Sequence, residues 1–174
     1  MSADKGNEKA MLFYGKLLFN GIETPENKNK AIEYFKKCIE LNNDEATYIY
    51  ASLLYGDNGI PANKKEAAKY FKKSAQNGNT DSMFIYAMML INCDEIPENK
   101  KEAAEYFKAC ADQDGNQEAA FQYASILISD DSDKSTNINE ALKYFKFSAD
   151  LGNDKSMLQY ADLTNNDSEK VKYY

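Results

Sequence analysis

Asparagine returns at Asn7, Asn43, Asn79, Asn116 and Asn153, in steps of 36, 36, 37 and 37 residues, and this period constrains the fold more than anything else in the chain. The last three of these close a Gly-Asn pair, at Gly78, Gly115 and Gly152. A unit of this length has room for two helices and their turns. Such a hairpin cannot bury its apolar face alone, so neighbouring copies must stack into one continuous core.

The copies align with gaps only in turns. Tyr14-Gly15, Tyr50-Ala51, Tyr86-Ala87, Tyr123-Ala124 and Tyr160-Ala161 fall at one position. Ala31, Ala67, Ala103 and Ala141 fall at another, each followed by a pair, Tyr34-Phe35, Tyr70-Phe71, Tyr106-Phe107 or Tyr144-Phe145. Single insertions at Gln113-Asp114-Gly115 and in the stretch Ser129 to Thr136 account for the longer steps, and turns tolerate insertion best. Apolar spacing predicts first helices over roughly 8–19, 44–55, 80–91, 117–128 and 154–163, and second helices over roughly 28–40, 64–76, 100–112 and 138–150. Asn27, Asn63, Asn99 and Asn137 read as caps of the second helices, with Glu66, Glu102 and Glu140 three residues on in a capping-box pattern. Gly78, Gly115, Gly152 and, in copy one, Asn42 read as the left-handed residues that end them.

The expected fold class is therefore all-α: an α/α superhelical solenoid of antiparallel helix pairs forming a single domain over 1–174. Four copies are complete, at about 7–42, 43–78, 79–115 and 116–152, and a fifth, 153–174, is partial. The phenylalanine of each Tyr-Phe pair fills the space between copies, while the small residues let paired helices approach closely.

Twenty-eight acidic against 21 basic side chains give a net charge of −7, which opposes nucleic acid as a partner. The pairs Lys64-Lys65, Lys72-Lys73 and Lys100-Lys101 alternate with glutamates on second helices and read as a solvated outer face. No run of about 18 apolar residues is present to suggest a membrane span, and Met1 to Lys9 is too polar for a signal peptide, so a cytoplasmic location is expected.

Cys38, Cys93 and Cys110 are an odd, non-repeating set and not a disulfide framework. With no histidine, neither a nucleophile–base pair nor a metal site with histidine spacing is indicated, and no cofactor motif occurs. Gly56-Asp57-Asn58-Gly59 joins two helices and reads as a turn, not a phosphate loop. Glu45, Asp81 and Glu118 recur near first-helix starts, where negative charge complements the helix dipole.

The order of a small residue early in the first helix, a glycine-containing turn ending in Gly21-Ile22 or Gly59-Ile60, then Asn-x-x-x-Ala-x-x-Tyr-Phe-x-x-Ser/Cys-Ala and a closing Gly-Asn resembles the Sel1-like repeat, a relative of the tetratricopeptide repeat. The resemblance covers nearly the whole chain. It implies a non-enzymatic scaffold or adaptor that binds a protein or peptide partner. In related solenoids the first helices line the concave face, and transferring that phase gives Lys16 in copy one, Tyr48, Ser52 and Tyr55 in copy two, Phe84, Met88, Ile91 and Asn92 in copy three, and Phe121 and Ser125 in copy four as candidate contacts. The aromatic members have a structural alternative, packing between neighbouring first helices. Lys16, Ser52, Met88, Ser125 and Asp162 vary in chemistry within a uniform repeat, which is where a ligand would be read. An enzyme or small-ligand protein using carboxylates in that groove is the alternative reading. The unfinished fifth copy, with Leu163, Tyr173 and Tyr174, is expected to leave an apolar end that self-associates weakly.

Overall fold

The computed structural model describes residues 7–21, 24–56, 61–130, 134–164 and 166–173. Among them are ten helices and no strand: α1 (Glu8–Asn20), α2 (Pro25–Glu40), α3 (Asp44–Tyr55), α4 (Lys64–Gln76), α5 (Thr80–Asn92), α6 (Lys100–Asp114), α7 (Gln117–Ser129), α8 (Lys134–Asp150), α9 (Asp154–Leu163) and α10 (Asp167–Tyr173). The chain divides into two compact units, Met1–Ser82 and Met83–Tyr174.

The recurring asparagines cap every first helix in the same way. The side-chain oxygens of Asn7, Asn43, Asn79, Asn116 and Asn153 accept from the backbone N–H three residues on, at 2.7–3.0 Å. Asn63 and Asn99 do the same for α4 and α6, and their amides reach Glu66 and Glu102 at 3.3 and 3.1 Å. Gly78, Gly115, Gly152 and Asn42 hold φ of 95°, 66°, 96° and 61°, the left-handed ends that the repeat predicts.

Two second helices begin earlier than their asparagines suggest. In copy one Thr24 is the cap, its hydroxyl accepting from Asn27 N–H at 3.2 Å. Pro25 opens α2, where its missing N–H has no helical partner to lose. In copy four α8 starts at Lys134, so Asn137 lies inside it, and its amide donates to the Asp130 carbonyl at 3.1 Å instead of capping. The expected turn at Asp57, Asn58 and Gly59, Ile22 and Ile60 of the glycine turns, part of the Ser129–Thr136 insertion, and Tyr174 lie outside the described residues.

The core within each unit is a ladder of rings. Phe35 and Phe71 in the first unit and Phe107 and Phe145 in the second are essentially fully buried. Tyr14 meets Tyr34 and Tyr50 meets Tyr70 edge to face, at 5.3 and 4.9 Å between centroids. The pairs Tyr86–Tyr106, Tyr123–Tyr144 and Tyr160–Tyr173 repeat this at 5.4, 4.7 and 5.2 Å. Gly15 sits where others carry alanine because an added Cβ would lie 2.9 Å from the Phe35 ring. The fifth copy is more complete than expected. Tyr173 is buried, stacks on Tyr160 and donates to Asp150, so it closes the last hairpin and does not extend an exposed apolar end.

Candidate interaction surface

Several of the buried polar groups join helices. Serine or cysteine recurs in the second helices at Cys38, Ser74, Cys110 and Ser148, and all four are buried. The Cys38 thiol donates to the Glu8 carbonyl at 3.7 Å, and the Ser148 hydroxyl to the Gln117 carbonyl at 2.7 Å. Burial, aided by the charge of Glu8, pushes the Cys38 thiol up, which disfavours the thiolate a nucleophile needs. Ser74 pairs with Ser82 and Ser148 with Ser156 through their hydroxyls. Among the described residues no cluster of acidic, cysteine or histidine side chains has the geometry of a metal site.

A second tie repeats between copies and was not read from the sequence. The lysine directly after three of the buried phenylalanines, Phe35, Phe107 and Phe145, reaches the tyrosine of the following copy: Lys36 lies 5.5 Å from the Tyr50 ring centre, Lys108 5.4 Å from Tyr123 and Lys146 5.6 Å from Tyr160. In the second unit the same lysine pairs with a glutamate two helices on, Lys108 with Glu140 at 2.6 Å and Lys146 with Glu169 at 2.5 Å, and the tyrosine hydroxyls donate to those carboxylates. Glu140 is thus an anchor between copies and not a capping-box acceptor.

The hydrogen bond from Lys108, and then that from Tyr123, hold the Glu140 carboxyl below the usual carboxylate range. Lys146 and then Tyr160 do the same for Glu169. A carboxyl with a depressed folded pKa contributes stability above its unfolded value, about 4.3 for Glu, and loses it as pH falls through the folded value. With no histidine to titrate, urea midpoints are expected to stay level from about pH 8 to about 5.5 and to fall below about 4.3. Glu140→Gln should lower the neutral-pH midpoint and flatten that acid limb; a limb of unchanged steepness would show that Glu140 does not contribute to it.

The candidate contacts fall into two sets, one in each unit. In the first unit, Lys16, Tyr48 and Ser52 come together in a groove of about 470 Å³ with Phe19, Ile49 and Leu53. Lys16 forms an ion pair with Glu45 at the rim. Ser52 Oγ donates to the Tyr48 carbonyl at 3.0 Å, so its proton is committed to its own helix, and the lining beside it is mainly aromatic and aliphatic. Tyr55 stands outside this groove, its ring edge-on to Phe71 at 6.0 Å.

In the second unit Phe84 stacks on Phe107 at 5.8 Å and Phe121 on Phe145 at 5.9 Å, both half-buried. Tyr48 meets Phe71 at 6.2 Å in the same way, so this aromatic register packs first against the second helix of its own copy. Met88 and Ile91 are half-buried, and exposed Asn92 donates to the Met88 sulfur at 4.0 Å. Ser125 donates to the Phe121 carbonyl at 2.8 Å, and Lys155 covers the Phe121 ring at 5.8 Å.

A larger groove of about 790 Å³ runs between α6 and α7, floored by Ala104, Tyr123, Ile126 and Leu127 with Lys100 and Lys101 at the edge. The sequence placed those lysines on a solvated face. They are exposed, yet they border a cleft whose apolar floor is shared with Glu105, Lys108 and Asp130.

Capped helical hairpins repeated end on, with polar groups spent on the joints between copies, define a helical-repeat protein. The model described as plant tetratrico peptide repeats matches residues 18–114, and that described as the Sel1 repeat matches residues 117–153. The chain therefore belongs to the tetratricopeptide-type repeat family, in its Sel1-like form. A protective antigen of uropathogenic Escherichia coli strains displaying an SLR fold superposes with a TM-score of 0.74 at 18% identity over 99% of this chain. The chain spans only 38% of that protein. A Sel1 repeat protein from Oxalobacter formigenes gives 0.69 at 18% identity, covering 98% of this chain and 72% of its own. No curated protein sequence matches the chain significantly. Repeats of this family generally mediate protein–protein interaction. No helix among the described residues is long and apolar enough to cross a membrane.

Proposed function

We propose that the chain is a non-enzymatic adaptor that binds a segment of a protein partner on the face carried by its first helices. The observation that supports this reading is the groove holding Lys16, Tyr48 and Ser52, where an aromatic and aliphatic floor lies open beside a single ion pair. Such a site suits an apolar anchor residue flanked by polar ones, the pattern of peptide recognition in helical grooves. Met88, Phe121 and Ser125 offer the second unit a comparable mixture of a flexible thioether, a ring and a hydroxyl turned to its own backbone. Three cysteines that form no disulfide suit a reducing compartment such as the cytoplasm.

Peptides selected from a random display library against the chain provide the test. Ser52→Arg places a charged group over the floor and should weaken the selected peptides by about tenfold or more, since burying an unmatched charge against apolar surface is costly. Lys69→Glu, on the exposed side of α4, should change their affinity by no more than about twofold. Equal affinity for all three folded proteins, with Met88→Glu equally silent, would place the partner elsewhere.

A further inference from the structure

The α6–α7 cleft lies at registers that the other copies fill or bury. In copies one and four the residue after the shared alanine is branched and aliphatic, Ile32 and Leu142, whereas in copy three it is Ala104, which floors the cleft. Copy two also carries alanine there, but Ala68 is buried and Ala104 is half-buried. The facing helix differs in the same sense. Three and four residues after the recurring tyrosine stand Leu53 and Leu54 in α3 and Met89 and Leu90 in α5, all buried, whereas Ile126 and Leu127 in α7 are half-buried. The hydrogen bonds of the turns differ too. The N–H groups of Asn63 and Asn99 donate to the carbonyls of Leu54 and Leu90 at 2.8 and 3.1 Å, which returns the chain to that register, while the Leu127 carbonyl accepts from Asp130 N–H at 3.3 Å. About 790 Å³ is left beside two aliphatic side chains.

Charge at the edge varies with that filling. Lys101 precedes Ala104 by three residues and so shares its face of α6. Where the register of Ala104 is filled, that of Lys101 is neutral, Asn29 with Ile32 and Asn139 with Leu142; where it is alanine, the partner position is lysine, Lys65 with Ala68 and Lys101 with Ala104. Lys101 is exposed, and the ion pair of Lys100 with Glu98, at 3.4 Å, is exposed on both sides. Lys108 is committed to Glu140, while Glu105 and Asp130 bring negative charge to the same lining. The complementary occupant therefore carries one or two carboxylates opposite Lys100 and Lys101, and not a long acidic tract, which Glu105 and Asp130 would repel.

We infer that the α6–α7 cleft binds a segment of a protein partner that inserts a leucine or isoleucine over Ala104, Ile126 and Leu127 and sets an adjoining carboxylate against Lys101. The inserted side chain supplies the aliphatic group that Ile32 and Leu142 provide in their own copies. The site lies wholly in the Met83–Tyr174 unit, apart from the groove of Lys16, Tyr48 and Ser52, and does not depend on it.

The test depletes a random display library of peptides on Ala104→Leu, which refills the register with the side chain of copy four, and then selects on the parent chain. Surviving peptides are expected to share leucine or isoleucine next to aspartate or glutamate. Ala104→Leu itself should unfold at no lower urea concentration than the parent, because the added methyl groups enter existing space. It should bind the survivors at least about tenfold more weakly, the scale of one buried leucine side chain. Lys101→Glu, an exposed change, should weaken them about threefold, and lysine in place of the peptide's acidic residue should restore binding. Ser52→Arg in the other unit should leave them unchanged, which separates this site from that groove. Should Ala104→Leu fail to fold, amide NMR shifts in the parent decide: peptides with the leucine and acidic pair must move residues of α6 and α7, and shifts centred elsewhere overturn the inference. An absence of survivors, survivors with an aromatic or basic anchor, or binding that is lost on Ser52→Arg and kept on Lys101→Glu overturns it equally.

Discussion

Phe71→Ala is expected to lower the stability of the Met1–Ser82 unit by about 3 to 5 kcal/mol, the range for emptying a fully buried aromatic site. Phe71 has no exposed surface, and two rings of α3 stand edge-on to it, Tyr48 at 6.2 Å and Tyr55 at 6.0 Å. Filling the space would require Tyr48 or Tyr55 to leave its edge-on position on α3, so part of the cavity should stay open. Urea unfolding followed by circular dichroism gives the size of the loss. Hydrogen exchange gives its place: amides of α3 and α4 should lose protection well before those of α7 and α8, because stability in a repeat array is set by nearest neighbours. A loss below about 1 kcal/mol, or uniform loosening of the whole chain, would show that the Phe71 site is not the packing centre of its hairpin.

The burial of that ring was legible in the sequence because a local rule generates it, although the sequence placed it between copies and the rings that meet Phe71, Phe107 and Phe145 belong to their own hairpins. Tyr-Phe three residues after the alanine shared by the four complete copies places one ring toward the paired helix and the next toward the core, and helical phase fixes both. The asparagine caps were legible for the same reason, each being satisfied within three residues. Where a competing local signal stood nearby, the asparagine lost. At α2 the Thr24 hydroxyl and Pro25 start the helix first, and at α8 the amide of Asn137 is drawn to the Asp130 carbonyl.

The joints between copies were not legible, since they depend on pairs about 30 residues apart. Lys108 and Glu140 meet only when α6 and α8 lie on either side of Tyr123, and nothing in a lysine that follows a phenylalanine announces a partner that distant. The recurrence of Lys36, Lys108 and Lys146 after the phenylalanine was the available signal, and it was hidden among other lysines on the same helices. The candidate surface stands between these cases. Helical phase gathers Lys16, Tyr48 and Ser52 into one groove, as transferred from related solenoids, but it gives no warning of the α6–α7 cleft, which second-helix and first-helix residues build together.

Gly115→Val should cost about 1 to 3 kcal/mol, as expected for a β-branched residue held at positive φ. Gly115 ends α6 at φ 66°, and its N–H donates to the Ala111 carbonyl at 3.1 Å. A Cβ there would meet nothing closer than the Phe147 ring at 3.9 Å, ordinary contact distance, so the cost comes from the backbone and not from a clash. Copy one supplies the control. Asn42 closes α2 at φ 61°, showing that asparagine serves at this register, so Gly115→Asn should lose only a few tenths of a kcal/mol. Thermal melts of the two variants beside the parent separate the explanations. If Asn and Val cost the same, the loss reflects added bulk near Phe147; a large loss for Val with near-parent behaviour for Asn locates it in the left-handed turn that sets α7 against α6.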